Sequence, residues 1–265
     1  MATGTGKFAV ILPAAGRSSR FGNPKEKKVY AELDGRAVWL RSVEPFVNRD
    51  DVTQVILVIA PEDRELFERR FRPSVAFMDI QVIEGGEERS DSVSKAIEAV
   101  DPHCEFIAIH DAARPCITSE QIDAVFRAAV AHGAALLAVP VSDTVKRVDS
   151  SRRTVETVPR VDLYLAQTPQ VFRRELIQEA YANRGRLGAA ITDDTQLVEA
   201  LGHPCTVVES TAMNLKITTA SDLRLAAAIL LALPKPRREA PSHPFADERA
   251  MWGDTPKIRP GDLFS

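Results

Sequence analysis

KFAVILPAAGRSSRFGNPKEKKVYAEL, residues 7–33, decides how the rest of the chain is read. Its first part, FAVILPA (8–14), is almost continuously apolar, the pattern of a strand buried on both faces. A loop containing Gly16 and Gly22 follows, and behind it come Arg17, Arg20, Lys25, Lys27 and Lys28. Open α/β sheets bind ligands in loops at the C-terminal ends of their parallel strands. Ala14, Ala15 and Gly16 are small enough to let the backbone approach a ligand, so that their N–H groups can face phosphate oxygens. Arg20 adds a forked, charge-assisted donor. A polyphosphate is the ligand this combination predicts. The loop is neither GxGxxG nor GxxxxGK[ST], which excludes the dinucleotide fingerprint and the Walker loop. The plain alternative is an ordinary loop with solvated cations.

Outward from this strand, apolar runs alternate with helix-period segments. QVILVIA (54–60), FMDIQVI (77–83), EFIAIHD (105–111) and ALLAVPV (135–141) read as further strands. Segments 37–46, 61–71, 90–100 and 118–133 read as helices, the last with Thr118 and Gln121 as a capping box and Gly133 as its stop. The alternation predicts an α/β fold: a mostly parallel, Rossmann-like sheet covered on both faces. SDTVKRVDSSRRTVETV (142–158) breaks the pattern. It reads as a hairpin turning at DSSRR with little apolar surface of its own, and such a hairpin needs something to pack on. LYLAQTPQVF returns to strand, RRELIQEAYA is helical, and TDDTQLVEALG is a helix with Thr192 as N-cap. CTVVES and NLKIT read as short strands, and TASDLRLAAAILLAL as a closing helix. The domain is expected to span 7–233, with 142–160 as a protruding arm. Residues 234–265, with many prolines and charges and no periodicity, are expected to form an extended or disordered tail.

Composition is ordinary for a soluble globular protein: 265 residues, 45% hydrophobic and 27% charged. The formal net charge of -3 gives no global attraction to nucleic acid or anionic membranes, so neither is an expected partner. Cys104, Cys116 and Cys205 are odd in number and widely spaced, which argues against a disulfide framework and for a reducing cytoplasm. The longest apolar run is too short to span a bilayer.

Three further stretches carry chemistry. NPKEKKVYAEL offers Lys25, Lys27 or Lys28 to neutralise a transferring phosphoryl group. Lys28 directly precedes an alternating, strand-like stretch. EGGEERSDSV (84–93) places Gly85 and Gly86 where a flat ligand can lie on the backbone. Ser90 or Asp91 could open the helix, and Ser92 could reach a base or ribose; a turn plus a cap is the structural reading. HDAARP (110–115) puts Asp111 at the end of a buried strand, where a carboxylate suits a magnesium ion shared with phosphates. Arg114 could take a second anion, or pair with Asp111 locally. Thr144, Lys146, Arg160, Thr168, Thr192 and Lys216, taken singly, read as surface or capping residues.

In this order, PAAGRSSRFG, KVYAEL, GGEERSDSV, HDAARP, SDTVKR, QTPQVF, ITDD and NLKIT give the chain a resemblance to the 2-C-methyl-D-erythritol 4-phosphate cytidylyltransferases. That resemblance implies a nucleotidyltransferase fold whose arm builds a homodimer, CTP as co-substrate and a divalent metal, usually magnesium. It implies that Ala14, Ala15, Gly16, Gly86, Glu87, Ser92, Asp111 and Ala112 hold the nucleotide, with Asp111 also on the metal. Arg20, Lys28 and Lys216 are the implied catalytic cations. Arg114, Thr168 and Thr192 are implied to hold the acceptor phosphate, with Thr144 and Arg160 reaching into the partner's site. The chain departs from the family pattern at Ser18, where glycine is usual, in the lengthened PKEKKVY, at Glu87 in place of aspartate, and at Met213. Matching Tyr30 and Leu33 to the family points to Lys28 as the lysine. A ribitol 5-phosphate enzyme and an inactive nucleotide-binding scaffold are the alternatives; a nicotinamide dehydrogenase lacks its GxGxxG.

Overall fold

The computed structural model describes residues 7–16, 18, 21, 27–186 and 191–233. The chain begins with β1 (Phe8–Pro13), the small hairpin β2 (Glu32–Leu33) and β3 (Arg36–Ala37), and α1 (Val38–Val47). It continues through β4 (Val52–Ile59), α2 (Arg64–Phe77), β5 (Gln81–Glu84), α3 (Arg89–Glu98) and β6 (Phe106–Ile109). Next come α4 (Ser119–His132), β7 (Ala134–Pro140), the hairpin β8 (Val145–Val148) and β9 (Thr154–Val158), and β10 (Tyr164–Arg173). The last elements are α5 (Arg174–Ala182), α6 (Thr195–Ala200), β11 (Thr206–Glu209) and α7 (Ala220–Ala232).

Seven strands form one sheet in the order β11-β7-β10-β6-β1-β4-β5. β1 lies at its heart, with Ile11 opposite Ile109 of β6 on one side and Ile56 of β4 on the other, both pairs parallel. β10 alone runs antiparallel, to both β6 and β7. The period of two along β1 divides the core. Phe8, Val10 and Leu12 face one cluster with Trp39, Phe67 and Phe126, while Ala9 and Ile11 face another with Val93, Ile97 and Ile177. A strand apolar at every position is thus one that buries both faces. Phe8 stacks on Phe126 with ring centroids 3.9 Å apart, which fastens α4 to the first strand.

Several expected boundaries move. Residues 77–80 do not join β5, because α2 continues to Phe77: Phe67, Phe71, Val75 and Met78 keep a helical spacing and meet the core. Helix α3 begins at Arg89, ahead of Ser90 and Asp91, and Asp91 instead accepts the Glu88 N–H at 3.2 Å. Thr192 does not cap α6. Asp193 does that work, accepting from the Gln196 N–H at 3.1 Å and the Thr195 hydroxyl at 3.0 Å. NLKIT is not a strand, although the Ile217 N–H reaches the Ala113 carbonyl at 2.8 Å. Residues 28–30 form a turn, and the strand expected after them shrinks to Glu32–Leu33, turned back through Asp34 and Gly35 at φ 50° and 76°. The α4 cap stands as read, with the Gln121 N–H on the Thr118 hydroxyl and Gly133 left-handed at φ 87°. The expectation for the tail falls on residues 234–265, outside the described residues. No helix among the described residues is long and apolar enough to cross a membrane.

Candidate active site

β1, β4, β5 and β6 are parallel neighbours, so their C-terminal ends open on the same edge of the sheet. There they border a cleft of about 500 Å³. Each wall is a strand end followed by a loop, as ligand binding in open α/β sheets requires.

The first wall is Ala14, Ala15 and Gly16 after β1, with Lys28 beside them. Ser18 adopts a left-handed φ of 52°, and its hydroxyl accepts the Lys28 N–H at 3.2 Å. The loop therefore ties the backbone of Lys28 to the strand end. Lys27 faces away from this task, ion-paired to Asp63 at 2.7 Å and Glu62 at 3.0 Å. Arg20 and Lys25 lie outside the described residues.

The second wall is the β5–α3 turn. Gly85 and Gly86 are there because nothing larger fits. A Cβ on Gly85 would stand 2.5 Å from Ser92 Oγ, and one on Gly86 would stand 2.4 Å from Asp91 Cβ. Ser92 holds the turn by accepting the Gly86 N–H and donating to the Glu88 carbonyl, both at 3.1 Å. Glu87 borders the cleft as well. Arg89, Ser92 and Lys95, spaced three apart on α3, present one helix face to the cleft, and Lys95 donates to the Gly85 carbonyl at 2.8 Å. Arg89 and Lys95 were not among the residues singled out from the sequence. Counting back and forward by three from Ser92 would have found both.

Asp111, one residue past His110 at the end of β6, forms the third wall. Lys216 Nζ reaches its Oδ2 at 2.8 Å, and Arg114 Nε lies 3.5 Å from the same oxygen. Arg89 Nε stands 3.8 Å from Oδ1. Burial alone would raise the Asp111 carboxyl, but Lys216, Arg89 and Arg114 outweigh it and hold the group below the usual carboxylate range. Asp111 is therefore ionised.

Some expected ligands sit one layer behind the cleft. The Thr168 hydroxyl accepts the Asp111 N–H at 2.9 Å and touches His110 Nδ1 at 3.3 Å. Arg114 is buried, donating to the Asn214 carbonyl at 2.8 Å. Ala112 is fully buried, its carbonyl accepting from Ser42, and Ala113 borders the cleft in its place. Thr192 is exposed ahead of α6, with its N–H on Gln196 Oε1 at 2.9 Å. Thr144 and Arg160 are exposed at the base of the β8–β9 hairpin and do not line this cleft.

The cleft thus brings together a glycine turn, Lys28 after the first strand, and a carboxylate among the cationic side chains of Arg89, Arg114 and Lys216. Comparison with known proteins supplies the family. Residues 8–232 match the family described as IspD, 2-C-methyl-D-erythritol 4-phosphate cytidylyltransferase. A protein of that name from Rhodopirellula baltica is 42% identical over 234 residues, covering 84% of this chain and 94% of the relative. Another from Alkaliphilus oremlandii is 36% identical, covering 88% and 97%. Among solved structures, the Thermus thermophilus 2-C-methyl-D-erythritol 4-phosphate cytidylyltransferase superposes with a TM-score of 0.69 at 32% identity, covering 84% of this chain and 98% of its own. The Anaerococcus prevotii 4-diphosphocytidyl-2C-methyl-D-erythritol synthase superposes at 0.73 and 28%, covering 86% and 97%. The match runs from the first strand to the last helix and takes in every wall of the cleft, so the chain belongs to the 2-C-methyl-D-erythritol 4-phosphate cytidylyltransferase family.

Proposed function

We propose that this protein transfers CMP from CTP to 2-C-methyl-D-erythritol 4-phosphate, giving 4-diphosphocytidyl-2-C-methyl-D-erythritol and pyrophosphate. The observation that carries the reading is the Asp111–Lys216 ion pair at 2.8 Å, which lines the same cleft as Gly85 and Gly86. The base lies on that wall beside Ser92, and the phosphates run toward Gly16 and Lys28. A phosphate oxygen of the acceptor attacks the α-phosphorus of CTP, forming one P–O bond while the bond to pyrophosphate breaks. A phosphate monoester is nucleophilic at neutral pH, so no general base is needed. The protein's contribution is positioning and charge stabilisation. Lys28, with Arg20, stabilises charge on the α-phosphate and the leaving group. Lys216 bridges Asp111 and the two substrates. Thr168 and Arg114 set the Asp111 carboxylate, and Thr192 meets the acceptor.

Among the described residues no group of three or more His, Cys, Asp and Glu could hold a metal. One carboxylate facing a phosphate site suits magnesium, which keeps few protein ligands and completes its shell from phosphate oxygens and water. Asp111 would hold it. When bound, magnesium neutralises phosphate charge as a Lewis acid.

The β8–β9 hairpin and its flanks support a homodimer, because Val155 is 63% exposed, Val161 77% and Leu165 61%. A second copy would cover them and receive Thr144 and Arg160 in its acceptor site. The separated thiols of Cys104, Cys116 and Cys205 support a cytoplasmic setting.

Pyrophosphate release tests the reading, with CTP and magnesium supplied and either methylerythritol phosphate or ribitol 5-phosphate as acceptor. Release with methylerythritol phosphate alone is expected. Release with ribitol 5-phosphate alone would keep the nucleotide half and overturn the acceptor. CTP binding without turnover of either would leave a scaffold.

A further inference from the structure

The first turn of α3 and the segment before α6 are 105 positions apart at their point of contact, and one buried ion pair joins them. Arg89 Nη1 and Nη2 donate to the two oxygens of Asp194 at 2.9 and 2.6 Å. Asp194 is fully buried. Its Oδ1 also accepts the Tyr181 hydroxyl of α5 at 2.5 Å. From β10, Gln170 Oε1 accepts the N–H groups of Asp194 and Thr195 at 3.0 and 3.1 Å, while its Nε2 donates to Asp193 at 3.2 Å. Thr192 is thus carried on a segment pinned from α3, α5 and β10. A second pair, Arg184 to Asp91 at 3.0 Å, ties the end of α5 to the same turn of α3.

Arg89 faces two ways. Its fork is spent on Asp194, and its Nε edge lies 3.8 Å from Asp111 Oδ1 in the cleft. Only a planar guanidinium can hold one carboxylate bidentately and present a third N–H to another; an ammonium cannot. The buried pair is a poor device for stability, because desolvation offsets most of its Coulombic gain. Its value lies in geometry. It links the glycine wall, which takes the nucleotide, to the threonine segment, which takes the acceptor.

We infer that Arg89, through Asp194, is a positioning residue that sets the acceptor-binding segment at Thr192 against the nucleotide wall and Asp111. The inference rests on the function proposed above. In-line transfer needs the acceptor oxygen placed against the α-phosphorus, and a displacement of about 1 Å costs about a hundredfold. Losing the link should therefore affect the acceptor and the rate more than the nucleotide.

The test compares the full-length enzyme with Arg89→Lys, Tyr181→Phe, Thr192→Ala and the Arg89→Lys/Thr192→Ala double variant. CTP affinity is measured by calorimetry, and KM and kcat for methylerythritol phosphate by pyrophosphate release. Arg89→Lys is expected to lower kcat/KM for the acceptor about ten- to a hundredfold, a larger loss than in CTP affinity. Tyr181→Phe, which keeps the ring packing and removes one bond to Asp194, is expected to move the same parameter less. Thr192→Ala should cost much less in the Arg89→Lys background than alone, because the two act as a unit. Additive losses would overturn the inference. So would an Arg89→Lys enzyme with unaltered acceptor KM whose activity falls only in step with its folded fraction. If Arg89→Lys does not fold, Tyr181→Phe decides: an unchanged acceptor kcat/KM overturns the link. A wild-type enzyme inactive with methylerythritol phosphate would instead refute the proposed function, so the two failures are distinguishable.

Discussion

Lys27 gives its ammonium to Glu62 and Asp63, whereas Lys28, one peptide unit on, lines the cleft with its backbone held by Ser18. Charge type and position in the chain do not separate these two lysines; the direction of the turn does. Lys28→Ala is expected to lower turnover about a hundred- to a thousandfold, the scale of losing a donor aimed at developing charge. Calorimetry should find CTP affinity changed far less, and equal losses in both would make Lys28 a binding residue. His110 shows a second effect of placement. It is fully buried between the Arg114 carbonyl and the Thr168 hydroxyl, and burial pushes its pKa down to about 4. The folded chain therefore keeps His110 neutral at pH values where the unfolded chain, titrating near 6.5, binds a proton. Stability from this group is complete above about pH 6.5 and is lost as pH falls to about 4, a change on the order of 3 kcal/mol. Asp111, held low, loses its contribution only below about pH 4, the unfolded carboxylate value, so the two windows are separate. Urea unfolding at pH 7 and 4.5 should show a smaller loss in His110→Asn than in the wild type; parallel losses would assign the effect elsewhere.

Among the elements, the β5–α3 turn was readable because its chemistry is local. Two glycines after a strand and a polar helix start predict a tight turn, and Ser92 closes it through the Gly86 N–H. The space around the glycines was not readable, since Asp91 Cβ and Ser92 Oγ come close only once the turn is folded. Gly86→Ala should raise the Kd for CTP about tenfold by displacing the wall, with a smaller effect on acceptor KM. An unchanged Kd would remove the turn from the nucleotide site. Helix α4 was readable for a similar reason: Thr118, Gln121 and Gly133 are fixed offsets within one element. The start of α6 was not. Thr192 and Asp193 are both good caps, and Gln170 from β10 selects between them by engaging Asp193, Asp194 and Thr195.

At the scale of the whole molecule, the β8–β9 hairpin pairs Val145 with Val158 and leaves the sheet with almost nothing buried. A two-stranded ribbon is marginal in water without a partner surface. Val155→Asp/Leu165→Asp is expected to turn a dimer into a monomer in sedimentation, with CTP binding retained and turnover lost. A monomer of full activity would show that Thr144 and Arg160 do not complete a neighbouring site.

What the sequence determined by itself was periodic or local: the buried first strand, the alternation that makes a parallel sheet, the capped helix α4, and the stretches that carry charge beside glycine. These follow from side-chain geometry over a few residues, and each run could be judged alone. The tertiary structure decided which side chains line the cleft and which stand behind it. Thr168 and Arg114 carry polar groups as suited to phosphate as those of Lys216, yet they support Asp111 from the interior. Arg89, just ahead of the helix expected at 90–100 and not singled out from the sequence, took on a role only when Asp194 came to meet it. Such roles depend on contacts about a hundred positions apart, and those contacts exist only when strands distant in the chain lie side by side.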